Sequence, residues 1–147
     1  MFNFRMQTVL DVRKTLEDKI ISEFSGHQKE LQHETESLRI IQQQKAALID
    51  SLRNIKDKKV PVSEIVMKSA HINTCQEEET IQTDTVRTLK KKLDKKRDEL
   101  LEATKKKKAM EICKTQHFEK YQAEERILER MAIDELVIAE YNRRKQE

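Results

Sequence analysis

Apolar residues between positions 24 and 55 recur with the alternating three- and four-residue spacing of a coiled coil. Seven of the ten residues at this spacing are apolar: the positions are Phe24, His27, Leu31, Glu34, Leu38, Ile41, Lys45, Leu48, Leu52 and Ile55. Because one stripe of an α-helix is buried under such a repeat, the pattern predicts a long helix that packs on another helix. Upstream, Val9, Leu16 and Ile20 continue the apolar stripe only after a stutter in the spacing.

A second apolar repeat follows Pro61, the only proline of the chain. Its members are Ile65, Ile72, Cys75, Val86, Leu89, Leu93, Leu100, Ala103 and Met110, which share one heptad register. Proline ends a helix because it lacks a backbone N–H and clashes with the preceding turn. The sequence therefore predicts an all-α fold, a long antiparallel two-helix coiled-coil hairpin with its hinge near Pro61.

We expect this hairpin to form a single coiled-coil domain over residues 1–147. The first helix should span about 4–58, the turn about 59–63 and the second helix about 64–143. The apolar repeat is weakest around residues 73–88, which are rich in threonine and place Glu79 and Gln82 on the buried stripe. An interruption of the second helix near 73–85 is therefore the alternative that the pattern leaves open.

The antiparallel register fixes which residues of the two helices should meet. The register that pairs Leu38 with Val86 also sets Lys45 opposite Glu79, so that two charges on the buried stripe neutralise each other. At the other end, the same fold should bring four aromatic residues together, with Phe4 near Phe118 and Phe2 near Tyr121.

The two predicted helices differ in length, so the C-terminal helix should extend past the N-terminus over roughly the last 25 residues. Apolar residues occur on more than one face of this stretch, at Ile127, Leu128, Met131, Ile133, Leu136, Val137, Ile138 and Tyr141. A helix surrounded by solvent does not have this composition. The pattern leaves open burial in a partner protein, self-association, or packing of Phe2 and Phe4 onto the helix.

Composition agrees with a narrow helical core. Charged residues make up 39% of the chain and aromatic residues only 4%, with a net charge of +3. Such a chain cannot fill a wide globular core, whereas long helices with one apolar stripe need little more. The lysine-rich runs over 90–97 and 105–108 wrap around the helix among acidic residues, so we interpret them as a solvated face and expect no nucleic-acid binding.

Residues with catalytic or metal-binding spacing are missing from the sequence. The four histidines, His27, His33, His71 and His117, do not share one helical face at metal-ligand spacing. The single glycine, Gly26, rules out a glycine-rich phosphate loop, and Cys75 and Cys113 do not form a C-x-x-C pair. We therefore expect no enzyme activity, no metal and no cofactor. Because no apolar run reaches about 18 residues and no signal peptide is present, we expect a cytosolic protein.

Two segments near the ends of the chain resemble the flagellar export protein FliJ family. The first is Phe2–Lys14, with the sequence FNFRMQTVLDVRK, in which Met6 replaces the leucine that is usual in the family. The second begins at Ala109–Glu111, continues through His117–Tyr121 and ends at Tyr141–Arg143. The middle of the chain, about residues 25–105, adds nothing to this resemblance because generic coiled coils share its pattern.

The resemblance implies a non-enzymatic stalk of the flagellar type III export apparatus, peripherally associated with the membrane. Its implied partners are a hexameric export ATPase, the cytoplasmic domain of the export gate and export chaperones. Candidate residues for the ATPase are Phe2, Phe4, Arg5, Gln7, Phe118, Tyr121, Leu128 and Met131. Ile40 and Gln44, one helical turn apart, are candidates for the gate. The alternatives are the equivalent stalk of a virulence-type secretion system and a self-associating coiled-coil scaffold.

Overall fold

A computed structural model describes residues 1–55 and 59–145 and contains two long helices in this part of the chain. α1 spans Gln7–Asn54 and α2 spans Val62–Arg144. The described residues contain no β-strand, and the two helices pack against each other. The predicted all-α hairpin of two long helices is confirmed.

α1 begins later than the apolar pattern predicted. The backbone N–H of Gln7 donates to the carbonyl of Phe4 at 2.9 Å, and the residues before Gln7 are not helical. α1 ends at Asn54, and residues 56–58 of the expected first helix lie outside the described part of the chain. Residues 1–6, which we call the N-terminal segment, therefore precede α1, with a turn at Arg5 and Met6.

α2 begins directly after Pro61, whose carbonyl accepts a hydrogen bond from the backbone N–H of Glu64 at 3.0 Å. The helix continues through the threonine-rich stretch without a break. Five threonine hydroxyls there donate to the carbonyl four residues earlier, namely those of Thr74, Thr80, Thr83, Thr85 and Thr88. These bonds satisfy hydroxyl groups that would otherwise compete with helical geometry, which explains why the helix tolerates them.

The chain divides into two compact units, each containing parts of both helices. We call Lys19–Leu101 the middle unit, and Met1–Asp18 with Glu102–Glu147 the terminal unit. Within each unit the helices run antiparallel, because residues later in α1 contact residues earlier in α2. Each unit has its own buried residues and is described separately below.

The middle unit has an aliphatic core supplied largely by α2. Its buried residues are Cys75, Val86, Leu89 and Leu93. Lys45 forms an ion pair with Glu79 at 2.6 Å, as the sequence predicted. Gln82, however, donates to the carbonyl of Glu34 at 2.9 Å, more than one helical turn from the position that the predicted register assigns to it. The single predicted register is therefore wrong along part of this unit, although the Lys45–Glu79 pair forms.

Candidate partner-binding surface

The N-terminal segment of the terminal unit packs its aromatic rings onto α2. The Phe2 ring lies 5.2 Å from that of Phe118 and 5.6 Å from that of Tyr121, measured between centroids. Phe4 is only 5% exposed, and its ring meets His117 edge-on at 5.8 Å. Edge-to-face and tilted pairs at these separations add favourable contacts beyond simple burial. We call these five residues the aromatic cluster.

The cluster differs in one respect from the arrangement predicted from sequence. The predicted pair of Phe2 and Tyr121 is confirmed, but Phe118 contacts Phe2, and Phe4 contacts His117 instead of Phe118. Phe118 and Tyr121 are three residues apart on one helix face, so a single ring can touch both. Phe4 contacts His117, one position earlier along α2, and is buried.

Polar contacts hold the same segment in place. The backbone nitrogen of Met1 donates to the Tyr121 hydroxyl at 3.0 Å, and that hydroxyl donates to the Glu125 carboxylate. The hydrogen bond to Glu125 raises the pKa of Tyr121, because it stabilises the protonated phenol. Lys114 donates to the side-chain oxygen of Gln7 at 2.8 Å. These bonds connect Met1, at the start of the N-terminal segment, and Gln7, the first residue of α1, to α2.

Further along α1, the terminal unit contains a buried carboxylate. Glu17 is 7% exposed and accepts hydrogen bonds from Lys107 and from the Thr104 hydroxyl, the latter at 2.8 Å. The hydrogen bond from Lys107, followed by that from Thr104, lowers the pKa of Glu17. The carboxylate therefore stays charged and paired inside the unit, in agreement with the rule that buried charges need partners.

Sequence reasoning missed the position of this carboxylate on the buried stripe. The expected stripe of Val9 and Leu16 is largely exposed, and the structure buries Leu10 and Glu17 instead. Leu10, Glu17 and Phe24 are spaced by seven, so the heptad in fact continues without a stutter. A pattern that admits only apolar residues on the buried stripe excludes this register, because Glu17 is charged. The signal that could have found it is Lys107, a cation placed across from Glu17 by antiparallel pairing.

The predicted ATPase-facing residues all belong to the terminal unit. The structure brings Phe2, Phe4, Gln7, Phe118 and Tyr121 together around the aromatic cluster. Arg5 is exposed beside it, whereas Leu128 and Met131 lie further along α2. Ile40 and Gln44 belong to the middle unit, where Gln44 lines a shallow groove with Ala47, Leu48 and His71.

Beyond the aromatic cluster, α2 continues as an exposed helix. We call residues 123–144 the C-terminal tail; every one of them is exposed. Its large apolar side chains are each more than half exposed, namely those of Ile127, Leu128, Met131, Ile133, Leu136, Val137, Ile138 and Tyr141. They lie around most of the helix circumference, and contiguous exposed apolar surface of this kind marks an interaction site.

Metal-binding clusters and membrane-spanning helices are both missing from residues 1–55 and 59–145. No group of three or more His, Cys, Asp or Glu side chains within these ranges could hold a metal ion. None of the helices described is long and apolar enough to cross a membrane. The arrangement of the terminal unit is suited to contact with another protein through apolar and aromatic side chains.

Comparison with known proteins gives one match. The family model described as flagellar FliJ protein matches residues 1–146, which include the N-terminal segment, the aromatic cluster and the C-terminal tail. Neither the search of curated proteins nor the search of solved structures found a match.

Proposed function

The chain belongs to the flagellar FliJ family and is a component related to flagellar protein export, and from this premise we propose that it is a stalk protein that binds the export ATPase. Family members are non-catalytic components of the export apparatus. The flagellar match favours this role over the equivalent stalk of a virulence-type system. The observation that carries the proposal is the exposed apolar tail, which directly adjoins the aromatic cluster.

Within the proposed ATPase contact, the candidate residues have two different roles. Phe4 is buried and Phe2 and Gln7 are half-buried, so these three position the N-terminal segment against α2. Leu128 and Met131 are 64% and 58% exposed and touch the ATPase directly. The exposed Arg5 and the partly exposed Phe118 and Tyr121 lie at the rim of this contact. Burial of several large apolar side chains in one protein pocket is typical of the residues that dominate binding energy.

The finer roles of the family complete the proposal. The middle unit contacts the cytoplasmic domain of the export gate through Ile40 and Gln44, which are exposed on α1. The protein also escorts export chaperones, a role that rests on family membership alone. It works in the cytoplasm, peripherally associated with the membrane through the export apparatus.

Truncation after Arg126 tests the ATPase contact, because it removes the apolar tail but keeps Tyr121 and its partner Glu125. We expect the truncated chain to lose binding to purified export ATPase in a pull-down and to lose any effect on ATPase turnover. Ile81→Asp is a matched control, since Ile81 in the middle unit is 67% exposed and Leu128 in the tail is 64% exposed. Leu128→Asp should weaken ATPase binding and Ile81→Asp should not. Full binding by the truncated chain would overturn the tail assignment.

A further inference from the structure

Tyr121 lies where the covered part of α2 ends and the C-terminal tail begins. Tyr121 and Gln122 are the last partly buried residues of α2, and residues 123–144 are exposed. An exposed helix is only marginally stable in water, because most of the stability of helices in proteins comes from packing of one face. The order of the tail therefore depends on the turn of α2 from which it continues.

Tyr121 makes contacts on both sides of this boundary. Its ring lies 5.6 Å from that of Phe2, and its hydroxyl accepts a hydrogen bond from the backbone nitrogen of Met1 at 3.0 Å. The same hydroxyl donates to the carboxylate of Glu125, which lies one helical turn into the tail. Because a phenol can accept and donate at the same time, the two hydrogen bonds form together. Tyr121 thus connects the N-terminal segment to the first turn of the tail.

The N-terminal segment strengthens the hydrogen bond between Tyr121 and Glu125. Packing against Phe2 fixes the tyrosine ring, and a side chain that is already ordered loses less conformational entropy when it forms a hydrogen bond. A bond to an ionised acceptor is also stronger than a bond between neutral groups. Since a helix extends residue by residue from turns that are already closed, stabilisation of the turn over residues 121–125 favours helix in the residues that follow.

We propose that Tyr121 is a positioning residue through which the N-terminal segment keeps the first turns of the C-terminal tail helical. These turns carry Leu128 and, one turn further, Met131, the side chains assigned to the ATPase contact. When a helix is ordered before it binds, the free energy of ordering is not subtracted from the affinity. Conversely, a partner that displaces the N-terminal segment loosens the beginning of the tail, because coupling between two sites is reciprocal. Only the effect on ATPase affinity rests on the proposed function.

Amide hydrogen exchange of the full chain tests this coupling without any partner. Tyr121→Phe keeps the ring on Phe2 but removes the hydroxyl, whereas Phe2→Ala removes the ring that fixes Tyr121. At short labelling times, we expect each substitution to speed exchange in residues 125–129 roughly threefold to fivefold. Residues 136–142, further along the tail, should change less. Tyr141→Phe is the matched control, because the other tyrosine of the chain is 59% exposed; it should leave residues 125–129 unchanged.

A chain with both Phe2→Ala and Tyr121→Phe shows whether the two side chains act through one connection. In that case the double substitution speeds exchange in residues 125–129 about as much as one substitution alone, whereas independent effects multiply. Multiplying effects would overturn the connection, and so would unchanged exchange after either single substitution. Equal acceleration in residues 10–17 of α1 would also overturn it, because it would indicate a general loss of stability in the terminal unit.

Binding of purified export ATPase separates this inference from the proposed function. Phe2→Ala leaves every side chain of the tail in place, so we expect it to weaken ATPase binding by roughly the factor by which it speeds exchange in residues 125–129. Unchanged binding by this variant, despite faster exchange, would overturn the effect of tail order on affinity. Failure of the unmodified chain to bind the ATPase would instead count against the proposed function, and the exchange experiment would still decide the coupling within the chain.

Discussion

The two units use the same helical repeat and differ in how much of their apolar surface they cover. In the middle unit, Val86, Leu89 and Leu93 are buried against α1. In the terminal unit, the N-terminal segment and α1 cover α2 only as far as Tyr121 and Gln122, and residues 123–145 are exposed. Apolar residues in the middle unit therefore pack within the fold, whereas the exposed apolar residues of the terminal unit indicate contact with a partner.

Both units also place a charged pair on the buried stripe. Lys45 and Glu79 pair in the middle unit, where both side chains stay partly exposed, and Glu17 and Lys107 pair in the terminal unit, where Glu17 is buried. A charged pair on a coiled-coil stripe lowers stability relative to aliphatic residues but restricts the helices to one register. The buried charged pairs thus help to specify the fold, whereas the exposed apolar residues of the C-terminal tail remain available for binding.

Substitution of Leu10 by alanine should have the largest effect on stability. Leu10 is 1% exposed at the centre of the terminal unit, so its truncation leaves a cavity and should cost about 2–4 kcal/mol of unfolding free energy. Chemical denaturation followed by circular dichroism measures this loss. Ile81→Ala is the control, because an exposed side chain should change stability by less than about 0.5 kcal/mol. Equal effects of the two substitutions would contradict the assignment of Leu10 to a core.

Substitution of Glu17 by glutamine should change how stability depends on pH. The pKa of Glu17 is lowered in the folded chain, so its carboxylate stabilises the fold at neutral pH, and this contribution is lost as the pH falls below the ordinary value of 4.5. The unmodified chain should therefore exceed Glu17→Gln in stability near pH 7, and the difference should vanish in acid. Thermal melts at several pH values measure it. A constant difference across the acid range would show that the charge of Glu17 plays no part.

Substitution of Gly26 by alanine should stabilise the middle unit slightly. Gly26 lies inside α1, its φ is not positive, and an added Cβ would meet nothing within 4 Å. Alanine restricts the unfolded chain more than glycine does, so we expect a gain of about 0.5–1 kcal/mol. The midpoint of denaturant unfolding should rise accordingly. A loss of stability would mean that α1 needs the glycine for a bend.

Aspartate substitutions in the tail should have the smallest effect on the isolated chain. Leu128 and Met131 make no buried contact in the terminal unit, so the double substitution Leu128→Asp and Met131→Asp should change stability by less than about 0.5 kcal/mol. The melt is recorded at a protein concentration too low for self-association. A loss comparable with that of Leu10→Ala would show that the tail belongs to the core of the unit.

The fold could be predicted from sequence because the apolar repeat and Pro61 act locally. Seven-residue spacing fixes the helical stripe, and a proline disfavours a continuous helix because it lacks a backbone N–H. The exposed apolar residues of the C-terminal tail could be predicted for the same reason, because their pattern lies within one stretch of sequence. The partner of that surface cannot be read from a single chain, and the family match links the chain only to flagellar protein export.

Details that depend on side-chain partners could not be predicted in the same way. The buried stripe near the N-terminus runs through Glu17, and a hydropathy pattern cannot reveal that Lys107 and Thr104 stabilise a carboxylate there. Likewise, His117 and Phe118 are neighbours on α2, and apolar spacing does not decide which of them contacts Phe4. The middle-unit register follows polar contacts such as Gln82 with Glu34, which aliphatic spacing alone does not encode.

Hydrogen exchange in the presence of the export ATPase shows whether the C-terminal tail is the ATPase-binding surface. The backbone amides of residues 127–141 are followed by mass spectrometry with and without purified ATPase, at a concentration where the chain is monomeric. We expect rapid exchange in the free chain, because an exposed helix without tertiary packing opens easily, and strong protection on ATPase binding. Residues 86–93 of the middle unit should be protected in both states. Binding of the ATPase with no added protection in residues 127–141 would contradict the account.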